Sequence, residues 1–234
     1  MVSRFCCSRI KNKIYRFYKV FFKAIAILKK LYYNTFKAKP SVVFCTVCRK
    51  NGLHTMSAKE KTMLKAICSK KDLTLCSYYN CISDIIDSEE LEKLKQIKHH
   101  IATTRFQHCV NVSYYSYVLC RKFRLNARAA ARAGLLHDLF FYDRKEYNSS
   151  REKGQPGHSS MHSQIAVQNA SELTDISDLE RDIIEKHMWP VTRPKPLYKE
   201  TYVITVIDKY CAVLEFCVPK VTKAAERITS RNKQ

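Results

Sequence analysis

Histidine and aspartate are the residues of this 234-residue chain whose placement reads as chemistry. The pair His137-Asp138 closes the stretch Ala129-Ala130-Ala131-Arg132-Ala133-Gly134-Leu135-Leu136. Ala and Leu favour helix there, and the small side chains let a neighbouring helix come close. A His beside an Asp in an apolar helix is costly to bury unless something pairs the two. A divalent ion would do so, and so would a hydrogen bond that pins the helix. Four further groups of the same kind follow the same pattern, His108, His162, His187 and Asp208, each near an apolar run. Imidazole and carboxylate together suit a first-row divalent ion. The gaps between them form no local HExxH signature, so the set works only if a helical bundle assembles it.

The elements that must position these groups read as helix after helix from residue 72. Asp87-Ser88-Glu89-Glu90 predicts a capping box, with Asp87 as N-cap and Glu90 at N3, ahead of Leu91, Leu94 and Ile97. Thr103 or Thr104 caps a second helix carrying His108, and Asn126 caps the Ala-rich one. Residues 144–158 read as a long loop, after which helix resumes near Ser160 and carries His162. Ser177-Asp178-Leu179-Glu180 is a second capping box, and its helix leads to His187. Pro190, Pro194 and Pro196 break the chain before a helix from about Tyr198 to Phe216 that holds Asp208. Tyr202-Val203-Ile204-Thr205-Val206-Ile207 is β-prone, but its flanks fit a buried helix. The expected fold is therefore all-α.

Charge divides the chain. Residues 1–71 hold 18 Lys and Arg against the single acid Glu60, a balance of +17 out of a total of +21. The domain of residues 72–234 is nearly balanced, so residues 1–71 read as a basic extension. Within it, Ile14, Tyr18, Phe21, Ile25, Leu28 and Tyr32 share one face of a predicted amphipathic helix over residues 10–33. Lys23 interrupts the apolar run, which excludes a spanning helix and argues against a secretory signal. An anionic membrane surface, nucleic acid, or a partner could each be met by residues 1–39. Residues 34–56 are punctuated by Pro40 and Asn51-Gly52, and Met56 is a second candidate start of translation. Residues 57–70 are compatible with a short helix. Cys45-Thr46-Val47-Cys48 is a lone CxxC with no partner pair, a poor zinc site. The eleven cysteines form no spaced framework and read as reduced thiols of a cytoplasmic protein, peripheral to the membrane if the basic helix docks there.

The ordered set resembles a known family. Thr103-Thr104-Arg105-Phe106-Gln107-His108-Cys109-Val110-Asn111-Val112-Ser113-Tyr114, Ala131-Arg132-Ala133-Gly134-Leu135-Leu136-His137-Asp138, Glu185-Lys186-His187-Met188-Trp189-Pro190 and Asp208-Lys209-Tyr210-Cys211 are similar to segments of small bacterial proteins of the HD-domain superfamily of metal-dependent phosphohydrolases. The likeness spans about residues 72–220.

The resemblance implies an HD-type helical bundle around a metal site. It implies that His108, His137, Asp138 and Asp208 bind one ion. In two-ion relatives the Asp of the pair bridges and two more histidines serve the second ion, positions that His162 and His187 match in order, with His158 as a rival to His162. The ion would be Mn, Fe, Co, Ni or Zn, and a metal-activated water would attack phosphorus without a protein nucleophile. Arg105, Arg132 and Lys209 are candidates to bind phosphate, or else solvated or ion-paired charges. Asp143 is a candidate proton donor to the leaving oxygen, or a cap for the loop. Trp189, Tyr142 and Tyr198 would suit a stacked base or serve as core and rim, so a nucleotide substrate rests mainly on the family. Phe141 stands where the HDxxK branch carries lysine, a departure from the enzymes that act on cyclic dinucleotides, among others. A non-catalytic regulatory protein that binds metal or nucleotide is the alternative.

Overall fold

The computed structural model describes residues 63–99 and 103–231. The basic helix of residues 10–33, the connection of residues 34–56, the CxxC and Met56 lie outside the described residues. Among these residues, two 3-10 turns, Leu73–Leu75 and Tyr79–Cys81, lead into seven α-helices. These are α1 (Glu89–Leu94), α2 (Arg105–Lys122), α3 (Ala127–Leu136), α4 (Arg144–Ser150), α5 (His158–Leu173), α6 (Asp178–Lys186) and α7 (Lys199–Arg231). Among the described residues there is no strand, only one antiparallel bridge between Lys98 and Thr104. No helix among them is long and apolar enough to cross a membrane.

The caps show how the sequence starts its helices. Thr104 accepts from the Gln107 amide at 3.2 Å, Asn126 from that of Ala129 at 3.0 Å, and Ser177 forms a full capping box with Glu180. Four expectations are corrected. Ser88, not Asp87, caps α1, accepting from Leu91. Residues 144–158 are not one loop: Asp143 caps α4 by accepting from Lys145 at 2.7 Å and Glu146 at 3.1 Å. Helix α5 begins at His158, so that residue stands on a helix rather than in a loop. The described part of residues 57–70 carries no helix. It lies along α2 instead, where the Ile67 amide donates to Asn111 Oδ1 at 2.8 Å and Gln107 Nε2 donates to the Lys65 carbonyl.

The pairing of α2 with α3 sets the centre of the molecule. Gly134 faces Ser113 so closely that a Cβ there would stand 2.8 Å from the Ser113 Cα. Ala130, Ala131 and Ala133 are fully buried beside it, and Ser113 donates to the Ala131 carbonyl at 2.6 Å. Small residues thus bring α3 close enough to hold its C-terminal His137-Asp138 beside His108 of α2. Leu135, Leu136, Leu139, Ile183, Ile184, Ile204 and Ile207 fill the core around them. In α7 the β-branched run is helical. Thr205 returns its hydroxyl to the Thr201 carbonyl at 2.8 Å, so its polar group is satisfied inside the core.

Two buried charges lock the remaining helices. Arg132 of α3 donates to Glu180 of α6 at 3.0 Å, to Asp84 and to Thr174. Asp182 of α6 accepts from Thr201 at 2.6 Å and from the Leu197 and Tyr198 amides, which gives the start of α7 its missing partners. Burial alone would raise the Asp182 carboxyl, but hydrogen bonds from Lys186, Thr201 and these amides hold it below the usual carboxylate range.

Candidate metal centre

Five helices deliver their groups to one buried cluster. His108 comes from the second turn of α2, His137 from the C-cap of α3 with Asp138 next to it, and His162 from α5. His187 is the C-cap of α6 and Asp208 lies in α7. The histidines are at most 3% exposed and the two aspartates 7%.

The hydrogen bonds fix which nitrogen faces inward. A backbone carbonyl only accepts, so the ring nitrogen beside it must donate. His137 Nδ1 donates to the Gly134 carbonyl at 2.9 Å, His187 Nδ1 to that of Ile184 at 2.8 Å, and His162 Nδ1 to that of His158 at 2.7 Å. In the neutral form of a ring pinned this way, Nε2 is left as a lone pair. The Nε2 atoms of His162 and His187 stand 2.9 Å apart, so in the neutral forms their lone pairs converge. His137 Nε2 is buried with no hydrogen-bond partner. Converging lone pairs and an orphaned nitrogen are costly as they stand, and a cation satisfies them. The residues present therefore fit a divalent metal.

The carboxylates complete the set. Asp138 turns Oδ2 toward His137 Nε2 at 3.9 Å, while Oδ1 faces His162 Nε2 at 3.4 Å and His187 Nε2 at 3.8 Å. Asp208 Oδ1 lies 3.1 Å from His108 Nε2 and 3.9 Å from His137 Nε2. Burial opposes charge on both aspartates. It is outweighed at Asp138 by His137, His162, His187 and His99, and at Asp208 by Lys209, His108 and His137, so both stay ionised. His108 is lowered by burial but raised more by Asp208 and Glu215, to about 10. Burial is the largest influence on His137 and His187 and lowers both.

The other candidates separate clearly. Lys209 sits at the edge, its ammonium paired with Asp208 Oδ2 and 3.4 Å from the Met188 sulfur. Arg105 is buried, with its guanidinium 3.6 Å from the Phe140 ring centroid and a hydrogen bond to the Phe140 carbonyl. Its charge faces Asp138 and Asp143. The guanidinium of Arg132 is taken up by Asp84 and Glu180, the ion-paired reading. Asp143 is exposed and serves as a cap, and the Glu146 and Lys145 amides hold its carboxyl below the usual range. His158 stacks on His162 at 4.7 Å and shares a 3.0 Å hydrogen bond with Tyr142. Trp189 packs edge-on against Tyr202, whereas Tyr198 is 39% exposed and Phe141 42%.

Two residues escaped the sequence reading. Glu215, fully buried, reaches His108 Nδ1 with both oxygens at 3.0 and 3.1 Å and accepts from Asn111 at 2.7 Å. Its spacing of two turns from Asp208 on a helix was the available signal. His99 stacks on His108, ring centroids 4.3 Å apart, and no spacing in the sequence pointed to it.

An all-α domain that gathers buried imidazoles and carboxylates from the ends and faces of five helices has the residues to hold a metal ion between them. The HD domain family model matches residues 105–213, a span that runs from before His108 to beyond Asp208, and this match supports membership of the HD-domain superfamily for that part of the chain. That domain is in general one of metal-dependent phosphohydrolases. No curated protein and no solved structure matches the chain.

Proposed function

We propose that this chain hydrolyses a phosphoester or phosphoanhydride of a small molecule, with a nucleotide as the favoured class, at a centre of two divalent ions. One observation carries the reading: three imidazoles pinned through Nδ1 aim their Nε2 lone pairs at the buried carboxylate of Asp138. Its two oxygens face His137 on one side and His162 with His187 on the other. That division supports Asp138 as the shared ligand of two ions. Bound ions supply a more acidic water and neutralise charge on the reacting phosphate.

The chain's own groups have defined tasks in this reading. His108, His137, Asp138, His162, His187 and Asp208 hold the metal, and Glu215 orients His108. Lys209 and Arg105 place positive charge beside the centre for a phosphate. Tyr198 offers an exposed ring for a base. Residues 1–39 would tether the domain to an anionic membrane face or nucleic acid in the cytoplasm.

The test is metal content per chain, with phosphate release from a panel of phosphate esters, for wild type, His162→Ala and His187→Ala. Two ions falling to about one in each variant, with hydrolysis lost, is the expected result. One ion unaffected by either change would reduce the centre to a single-ion site. The lack of a lysine at Phe141, with Arg132 committed to its acidic partners, favours a second reading, a regulatory protein that binds metal without turnover. Metal binding with no hydrolysis across the panel would select it.

A further inference from the structure

Six side chains of the centre are almost completely buried, yet the chemistry proposed for it needs an open side. Of the residues grouped as able to hold a metal, His99 alone is half-buried rather than buried. It precedes α2 in the chain. Its position is set by the backbone: the His99 amide donates to the Thr103 carbonyl at 3.0 Å and the Arg105 amide to the Ile97 carbonyl at 2.9 Å. These bonds, with the Lys98–Thr104 bridge, fasten the segment to the first turn of α2. The His99 ring stacks on His108 at 4.3 Å with 30° between planes. One ligand-type atom each of His99, His108 and Asp138 all lie within 4.8 Å of one another. With metal–nitrogen bonds of about 2.1 Å, donors on one ion lie roughly 3 to 4 Å apart. A small side-chain rotation closes the remaining distance.

We infer that His99 is a further ligand of the metal centre, entering from its solvent side onto the ion held by His108 and Asp138. The inference rests on the reading of the cluster as a metal site and extends it. A ligand on a half-exposed segment differs from the other six, which are fixed inside the helical core. It contributes affinity at the face where substrate must arrive, and it is the protein ligand best placed to yield a coordination position.

The alternative is that His99 supports His108 by ring stacking alone, and two variants of the full chain separate the roles. His99→Phe keeps a flat ring but has no nitrogen to offer, and His99→Ala removes both. Cobalt(II) is titrated into the metal-free wild type and each variant, reading the visible d–d bands and Kd, with far-UV circular dichroism as the fold control. Both variants should weaken cobalt binding about tenfold or more and alter the bands, and added imidazole should restore them in His99→Ala. Wild-type Kd and bands in His99→Phe would overturn the inference while leaving the centre intact. A wild-type chain that takes up no cobalt would instead overturn the metal reading and this inference with it.

Discussion

Glu215 holds His108 by its Nδ1 at 3.0 Å, and the Nε2 of the same ring faces Asp208 at 3.1 Å. Acid, imidazole and acid thus form one buried line, and both acids come from α7, two turns apart. A carboxylate behind a metal-binding histidine fixes the ring and strengthens it as a ligand. Glu215→Gln keeps the shape but removes the charge. Metal affinity should fall about 10- to 100-fold, read by titration of the metal-free protein, with the helical circular dichroism unchanged.

Lys209 and Arg132 were equal candidates for phosphate in the sequence, but the structure sends them to different tasks. Lys209→Ala should lower kcat/KM about tenfold or more while metal content holds. Arg132→Met leaves Glu180 without its buried partner and should cost about 3–5 kcal/mol of stability. Activity per folded Arg132→Met molecule should be unchanged. A large loss of turnover in the folded variant would return Arg132 to the site.

Gly134→Ala tests the helix contact that sets the centre. The added methyl would meet the Ser113 Cα at 2.8 Å, a backbone atom that cannot swing aside. Overpacking of this kind costs about 1–3 kcal/mol. A lowered midpoint in thermal or urea unfolding is expected. Because the strain separates α2 from α3, metal affinity should fall as well.

Asp182 gives the fold an acid limit. Its carboxyl is held below the ordinary range in the folded protein. Its contribution is therefore fully present above the unfolded value near 3.9 and is lost as pH falls through the folded value. Asp182→Asn should lower stability at pH 7 and flatten the acid side of the stability profile, followed by urea unfolding from pH 7 to pH 3.

Much of this was legible because polar groups stood out on apolar helices. His108, His162, His187 and Asp208 each interrupt a buried face, and Thr104, Asn126 and Ser177 announce helix starts by residue type alone. Helix α4 was not legible. Its seven residues are polar all round and none is buried, so no hydrophobic period marks it, and its Asp143 cap reads equally well as loop chemistry. The start of α1 lay between two adjacent residues that both cap well, and Ser88 took the role from Asp87. Glu215 carried the same signal, a lone acid in the apolar run Ala212-Val213-Leu214-Glu215-Phe216-Cys217-Val218, but its task shows only when α2 brings His108 and Asn111 against it. His99 becomes visible only when the bridge from Lys98 to Thr104 folds its segment back on α2.

The centre joins His108 to Asp208, a hundred positions apart in the chain. An ion bound there therefore works as a clasp on most of the domain. The unfolded chain cannot reproduce that arrangement, so loading adds to stability in proportion to the logarithm of free metal over Kd. The protein's lifetime against proteases then follows the metal supply of its compartment. Starvation for the ion would thin out the protein itself.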